Sequence, residues 1–89
     1  MPELRAHDYQ HIDRFAVAYL AIFDEDPYGY EFPLVAYQAM RNYLTDNGMP
    51  TLPLSTFNRL MQRAGCELDR NRRTGKRRFY GVRLKPQYR

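Results

Sequence analysis

The chain has 89 residues, enough for one small domain with a single modest core. Hydrophobic residues at 44% and aromatics at 15% exclude a disordered tail. The longest apolar run, Phe15 to Phe23, is nine residues, far below the roughly 20 that a membrane-spanning helix needs. The net charge of +4 divides unevenly: residues 1–53 hold three basic and eight acidic side chains, a net of −5, and residues 54–89 hold eleven and two, a net of +9. That polarity implies an anionic partner for the second half, with nucleic acid the first candidate and an acidic membrane surface the second. The single cysteine, Cys66, cannot form an internal disulfide. The opening Met1-Pro2-Glu3-Leu4-Arg5 lacks the basic-then-apolar order of a signal peptide. Together these lead to the expectation of a cytoplasmic protein.

The first element is a helix over His11 to Asp24. Ile12, Phe15, Ala16, Tyr19, Leu20 and Phe23 recur at helical spacing and define its apolar face. Asp8 precedes it as an N-cap or first-turn acid, and residues 1–8 are expected to fray. Asp24 to Gly29 breaks the helix with Pro27 and Gly29, and Tyr30 to Phe32 suits a very short strand. Pro33 opens a second helix, where its missing N–H costs nothing. Ala36, Tyr37, Met40, Tyr43 and Leu44 supply its apolar face, and Asn47 or Gly48 its left-handed cap.

Pro50 and Pro53 make residues 49–54 an extended connector. Ser55 or Thr56 then caps a third helix, whose apolar face is Phe57, Leu60, Met61 and Ala64 and whose end is Gly65. The remainder reads as a β-hairpin. Cys66 and Leu68 alternate with acids, Tyr80, Val82 and Leu84 alternate with Phe79, Gly81 and Arg83, and residues 71–77 form the tip. The two readings for Phe79 are burial by hairpin twist, which is preferred, and an exposed ring able to stack on a base.

Three helices followed by a two-stranded hairpin is the α+β layout of a winged helix-turn-helix domain. It is expected to occupy residues 9–86, with residues 87–89 as a tail. Opposite the apolar face of the third helix lie Ser55, Asn58, Arg59, Gln62 and Arg63. Asn and Gln can bond adenine edges, Arg can bond guanine, and Ser or Arg can hold phosphate, so this is a candidate recognition surface for the major groove. An ordinary solvated face has a similar composition. The hairpin adds Arg70, Arg72, Arg73, Lys76, Arg77 and Arg78, six basic residues within nine and no acid among them. Phosphate is the simplest charge to offset their mutual repulsion.

The first half carries Asp24, Glu25, Asp26 and Glu31. They read first as a solubilising face turned from DNA and second as a docking surface for a basic protein. His7 and His11 stand four apart, but with no third ligand near them they are not expected to hold a metal. Cys66 reads as a small buried residue. Gly75-Lys76 lacks the upstream glycine of a phosphate-binding loop, and no hydrolase or metalloprotease motif is present. The expectation is a binding module with no cofactor, and not an enzyme.

Residues Leu34 to Met40, Leu54 to Met61 with Gly65, and the ending Arg78-Phe79-Tyr80-Gly81-Val82-Arg83-Leu84 resemble the C-terminal winged-helix domain of phage, plasmid and poxvirus-type primase-helicases. The likeness spans about residues 12–85. It implies a DNA-binding element of a replication protein on a mobile genetic element. Ser55 matches the family's helix-capping serine, Phe57 its core anchor, and Gly81 with Val82 its final strand. The family's ATPase and primase have no counterpart in this sequence, which leaves a free-standing regulator or excision factor as an alternative, and a protein-interaction adaptor as another. Duplex DNA is the expected partner, with single-stranded DNA and RNA left open and no membrane partner expected.

Overall fold

The structure, a computed structural model, describes residues 3–70 and 73–89. It is an α+β fold with three helices and a three-stranded antiparallel sheet. A 3-10 helix over Ala6–His11 leads into α1 (Ile12–Ile22). Then come β1 (Phe23–Glu31), α2 (Pro33–Asp46), α3 (Leu54–Arg63), β2 (Glu67–Arg70), β3 (Arg77–Leu84) and a last 3-10 turn over Pro86–Tyr88. The sheet order is β1-β3-β2, so the central strand is the last one made. Among the described residues no helix is long and apolar enough to cross a membrane.

The three helices pack on one another and α2 packs on β3. The core is drawn from the three α-helices and from β1, through Phe23, and β3. Phe15, Ala18 and Ile22 come from α1, Ala36, Ala39, Met40 and Leu44 from α2, Phe57, Leu60 and Met61 from α3, and Phe79, Val82 and Leu84 from β3. Phe57 sits at the junction: its ring centroid lies 6.2 Å from Phe15, 5.4 Å from Tyr37 and 6.1 Å from Phe79. Three elements converge on this one fully buried ring.

The buried face of α1 differs from the expected one. Ala18 and Ile22 are fully buried, whereas Ala16 is exposed and Leu20 is 74% exposed. The helix is apolar nearly all round, so its periodicity does not single out a face. Packing against α2 and α3 selects one that the spacing did not.

The larger difference is β1. Residues expected to be a helix end, a loop and a three-residue strand form one nine-residue strand. Phe23, Asp24 and Glu25 pair with Leu84, Arg83 and Val82, and Tyr30 and Glu31 pair with Tyr80 and Phe79. Residues 26–29 bulge between the two paired stretches. Pro27 is tolerated because it lies in the bulge of an edge strand, where the Tyr28 N–H is taken by Asp26 Oδ1 at 2.9 Å. Gly81, on the facing strand, has φ +90°. That conformation breaks the in-out alternation of β3, so Phe79 and Val82 both face the core. The preferred burial of Phe79 therefore holds, but with the Phe79/Tyr80 order inverted: Phe79 is fully buried and Tyr80 only partly.

Pairing also redistributes the acids. Asp24 and Glu25 are exposed, and Asp26 stands 3.8 Å from Arg83. Glu31 is not part of any acidic surface. It is buried, and its Oε1 accepts hydrogen bonds from the Leu84 N–H at 3.0 Å and from Arg89 Nη2 at 2.7 Å. The last residues are thereby packed, with Tyr88 edge-on to Tyr43.

Candidate nucleic-acid interface

The α3 helix begins at least two residues earlier than its Ser-Thr pair suggests. Pro53 holds an extended conformation at the N-cap, and its carbonyl accepts the Phe57 N–H at 2.9 Å. Ser55 and Thr56 therefore stand inside the first turn, and neither caps it. The helix closes at Gly65, where Cys66 N–H bonds Met61 O and Gly65 N–H bonds Gln62 O. The same pair of bonds closes α2 at Gly48.

Thr56 is buried, and its hydroxyl donates to Asp8 Oδ1 at 2.7 Å. One turn on, Arg59 grips the same carboxylate through Nε at 2.6 Å and Nη2 at 2.9 Å. The Arg5 N–H adds a fourth donor at 2.8 Å. The Arg59 hydrogen bond, helped by Arg5 and Thr56, holds the Asp8 carboxyl well below the usual carboxylate range despite its burial. Two expectations change. The start of the chain is tied to α3 at Asp8 where fraying was anticipated, and Arg59 is committed to an internal carboxylate where a base contact was anticipated. A bidentate Arg–carboxylate pair this well satisfied does not release its cation to a base. No local pattern announces it, since the partners lie 51 residues apart.

The rest of the polar face of α3 is differently disposed. Ser55 and Arg63 are exposed, and Asn58 and Gln62 are half-buried. Gln62 Nε2 donates to the Asn58 carbonyl at 3.2 Å. The amide oxygen of Asn58 is buried and has no hydrogen-bond partner among the described residues.

In the hairpin, Arg70 faces Arg77, Asp69 faces Arg78, Leu68 faces Phe79 and Glu67 faces Tyr80. Like charges placed opposite each other on paired strands are unfavourable, and among the described residues no carboxylate lies within 4 Å of the side-chain nitrogens of Arg70, Lys76 or Arg77. Strand alternation sends Arg77 and Arg78 to opposite faces. Arg78 is half-buried, with its guanidinium 4.5 Å from the Tyr30 ring centroid and 5.4 Å from that of Phe32. It is held by aromatic rings and stands apart from the cations of the tip. Arg73 is exposed; Arg72 lies outside the described residues.

These elements meet in a groove of about 420 Å³. Phe32, Pro33 and Leu34 enter from the start of α2, Leu54 and Asn58 from the first turns of α3, and Arg70, Gly75, Lys76 and Arg77 from the hairpin. Every charged residue that lines it is basic. Of the eleven residues expected to contact nucleic acid, four are brought together here: Asn58, Arg70, Lys76 and Arg77. Comparison with protein-family models, with curated proteins and with solved structures finds no match for this chain.

The remaining chemically active side chains have internal partners. Cys66 is buried with its Sγ 3.6 Å from the Tyr19 hydroxyl, and burial pushes its thiol pKa up, which disfavours the thiolate a nucleophile needs. His7 stands 3.3 Å from Asp8, and His11 bonds Arg14.

Proposed function

We propose that the chain is a winged-helix nucleic-acid-binding domain that engages duplex DNA, with α3 in the major groove and the β2–β3 hairpin as the wing. The observation that carries this reading is the shared groove. The first turns of α3 and the cations of the hairpin open onto one concave surface lined by no carboxylate. The element order and the β1-β3-β2 sheet support the same architecture. In this reading Ser55, Asn58, Gln62 and Arg63 approach the bases and flanking phosphates, and Arg70, Lys76 and Arg77 neutralise the backbone. Arg59 acts from behind, by anchoring α3 to the N-terminal segment. The resemblance to primase-helicase domains supports a place in the replication of a mobile element. The adaptor alternative is weakened, because the burial of Glu31 reduces the acidic face to Asp24, Glu25 and the partly paired Asp26.

Titration of duplex DNA at several salt concentrations tests the proposal. Replacing Arg70, Lys76 and Arg77 together by Ala is expected to weaken binding to all sequences and to flatten the slope of log K against log salt by about 3. Asn58→Ala and Gln62→Ala are expected to change sequence preference instead. Unchanged affinity and slope in the triple variant would overturn the reading.

A further inference from the structure

A surface that only grips a phosphate backbone has no use for an apolar floor, yet the groove has one. Leu34 is 70% exposed and Leu54 37% exposed, and both line it beside the half-buried ring of Phe32. Lys76 Nζ hangs 5.9 Å from the centre of that ring. The buried, unpartnered amide oxygen belongs to Asn58, which lines the same groove. Both α2 and α3 start here without a side-chain cap, so the N–H groups of their first turns, those after Pro33 in α2, are left for an anion.

Resting on the DNA-binding reading, we propose that this groove takes one unpaired nucleotide, at a duplex end or in a single-stranded extension. The base packs against Phe32, Leu34 and Leu54 and presents an amino or imino N–H to Asn58, while its phosphate meets Lys76, Arg77 and the two helix N-termini. A base pair inside a duplex cannot use the site, because both its faces are covered by stacking. A flat apolar ring joined to an anion is the one component of nucleic acid that matches floor and rim together.

The test compares one duplex in three forms: blunt, with a three-nucleotide extension on either strand, and with that extension made abasic. Fluorescence anisotropy reads the affinities. An extension is expected to tighten binding about tenfold, the scale of one stacked base, and the abasic extension is expected to lose that gain. Leu34→Ala, at a solvent-exposed position with no part in duplex contact, should reduce the gain while leaving blunt-duplex affinity within about twofold. Equal affinity of the parent for all three forms, with blunt duplex still bound, would overturn this inference and leave the DNA-binding reading standing. Failure to bind any of the three would overturn both.

Discussion

Arg59 on α3 and Arg77 on β3 both belong to the basic half of the chain, and their surroundings are opposite. Arg59 sends two hydrogen bonds into a fully buried carboxylate, with Thr56 and the Arg5 N–H completing the shell. Arg77 faces Arg70 across the hairpin, with no carboxylate within 4 Å among the described residues. The first cation stabilises the fold and is not available to a ligand. The second has no such internal partner, and in the proposed reading it is offered to an anion from outside. A count of positive charge does not separate these roles; the supply of internal partners does.

The sharpest way to break this contrast is to remove Asp8. Asp8→Ala leaves Arg59 and Thr56 without their acceptor and is expected to lower the melting temperature by about 10 °C or more, read by circular dichroism. The hairpin cations are untouched, so affinity for duplex DNA at a temperature where the variant is folded should change by less than about threefold. If stability is unchanged, the buried carboxylate does not anchor the N-terminal segment.

The hairpin depends on backbone geometry where the N-terminal contact depends on charge. Gly81→Ala places a side chain at φ +90° and is expected to cost about 1 kcal/mol, or roughly 5 °C in melting temperature. Insensitivity at this position would mean that the bulge can relax without loss.

Acid titration separates the two regions again. Arg59 depresses the Asp8 pKa in the folded state, so between the unfolded and folded values the unfolded chain binds more protons and stability rises with pH. The contribution is complete above the unfolded carboxylate value of about 4 and is lost as pH falls below it. Urea midpoints measured from pH 5 down to pH 2.5 should therefore fall more steeply for the parent than for Asp8→Asn. Parallel curves would remove Asp8 from the acid sensitivity.

The smallest effect concerns Arg77 itself. Arg77→Ala relieves the repulsion with Arg70 and is expected to leave stability unchanged or to raise it by up to about 1 kcal/mol, while weakening duplex binding. A clear loss of stability would show that Arg77, like Arg59, has a structural role.

Much of this molecule was legible from local chemistry. Pro33 at the start of α2, Gly48 and Gly65 at the ends of α2 and α3, and the 3.6-residue spacing of Phe57, Leu60 and Met61 are short-range signals, and the structure follows them. Of β1 only its end, Tyr30 and Glu31, was legible, because an Asp-Glu-Asp-Pro run has low strand propensity. It becomes a strand because β3 offers it a complementary edge. The face of α1 was not legible because its sequence is apolar on several sides. The groove lay half within reach: the cations of the hairpin stand out in the sequence, but their meeting with Phe32, Leu34 and Leu54 does not.

The division follows the range of the forces involved. Turns, helix ends and helical faces depend on residues within about four positions of one another, so composition and spacing settle them, along with the surplus of positive charge in the second half. Whether a given cation meets a carboxylate inside the molecule or is left for a ligand outside it depends on residues about fifty positions apart, such as Asp8 with Arg59 and Glu31 with Arg89. Those pairings arise only when the chain closes on itself, because burial is what makes each carboxylate require a partner and close packing determines which partner it finds.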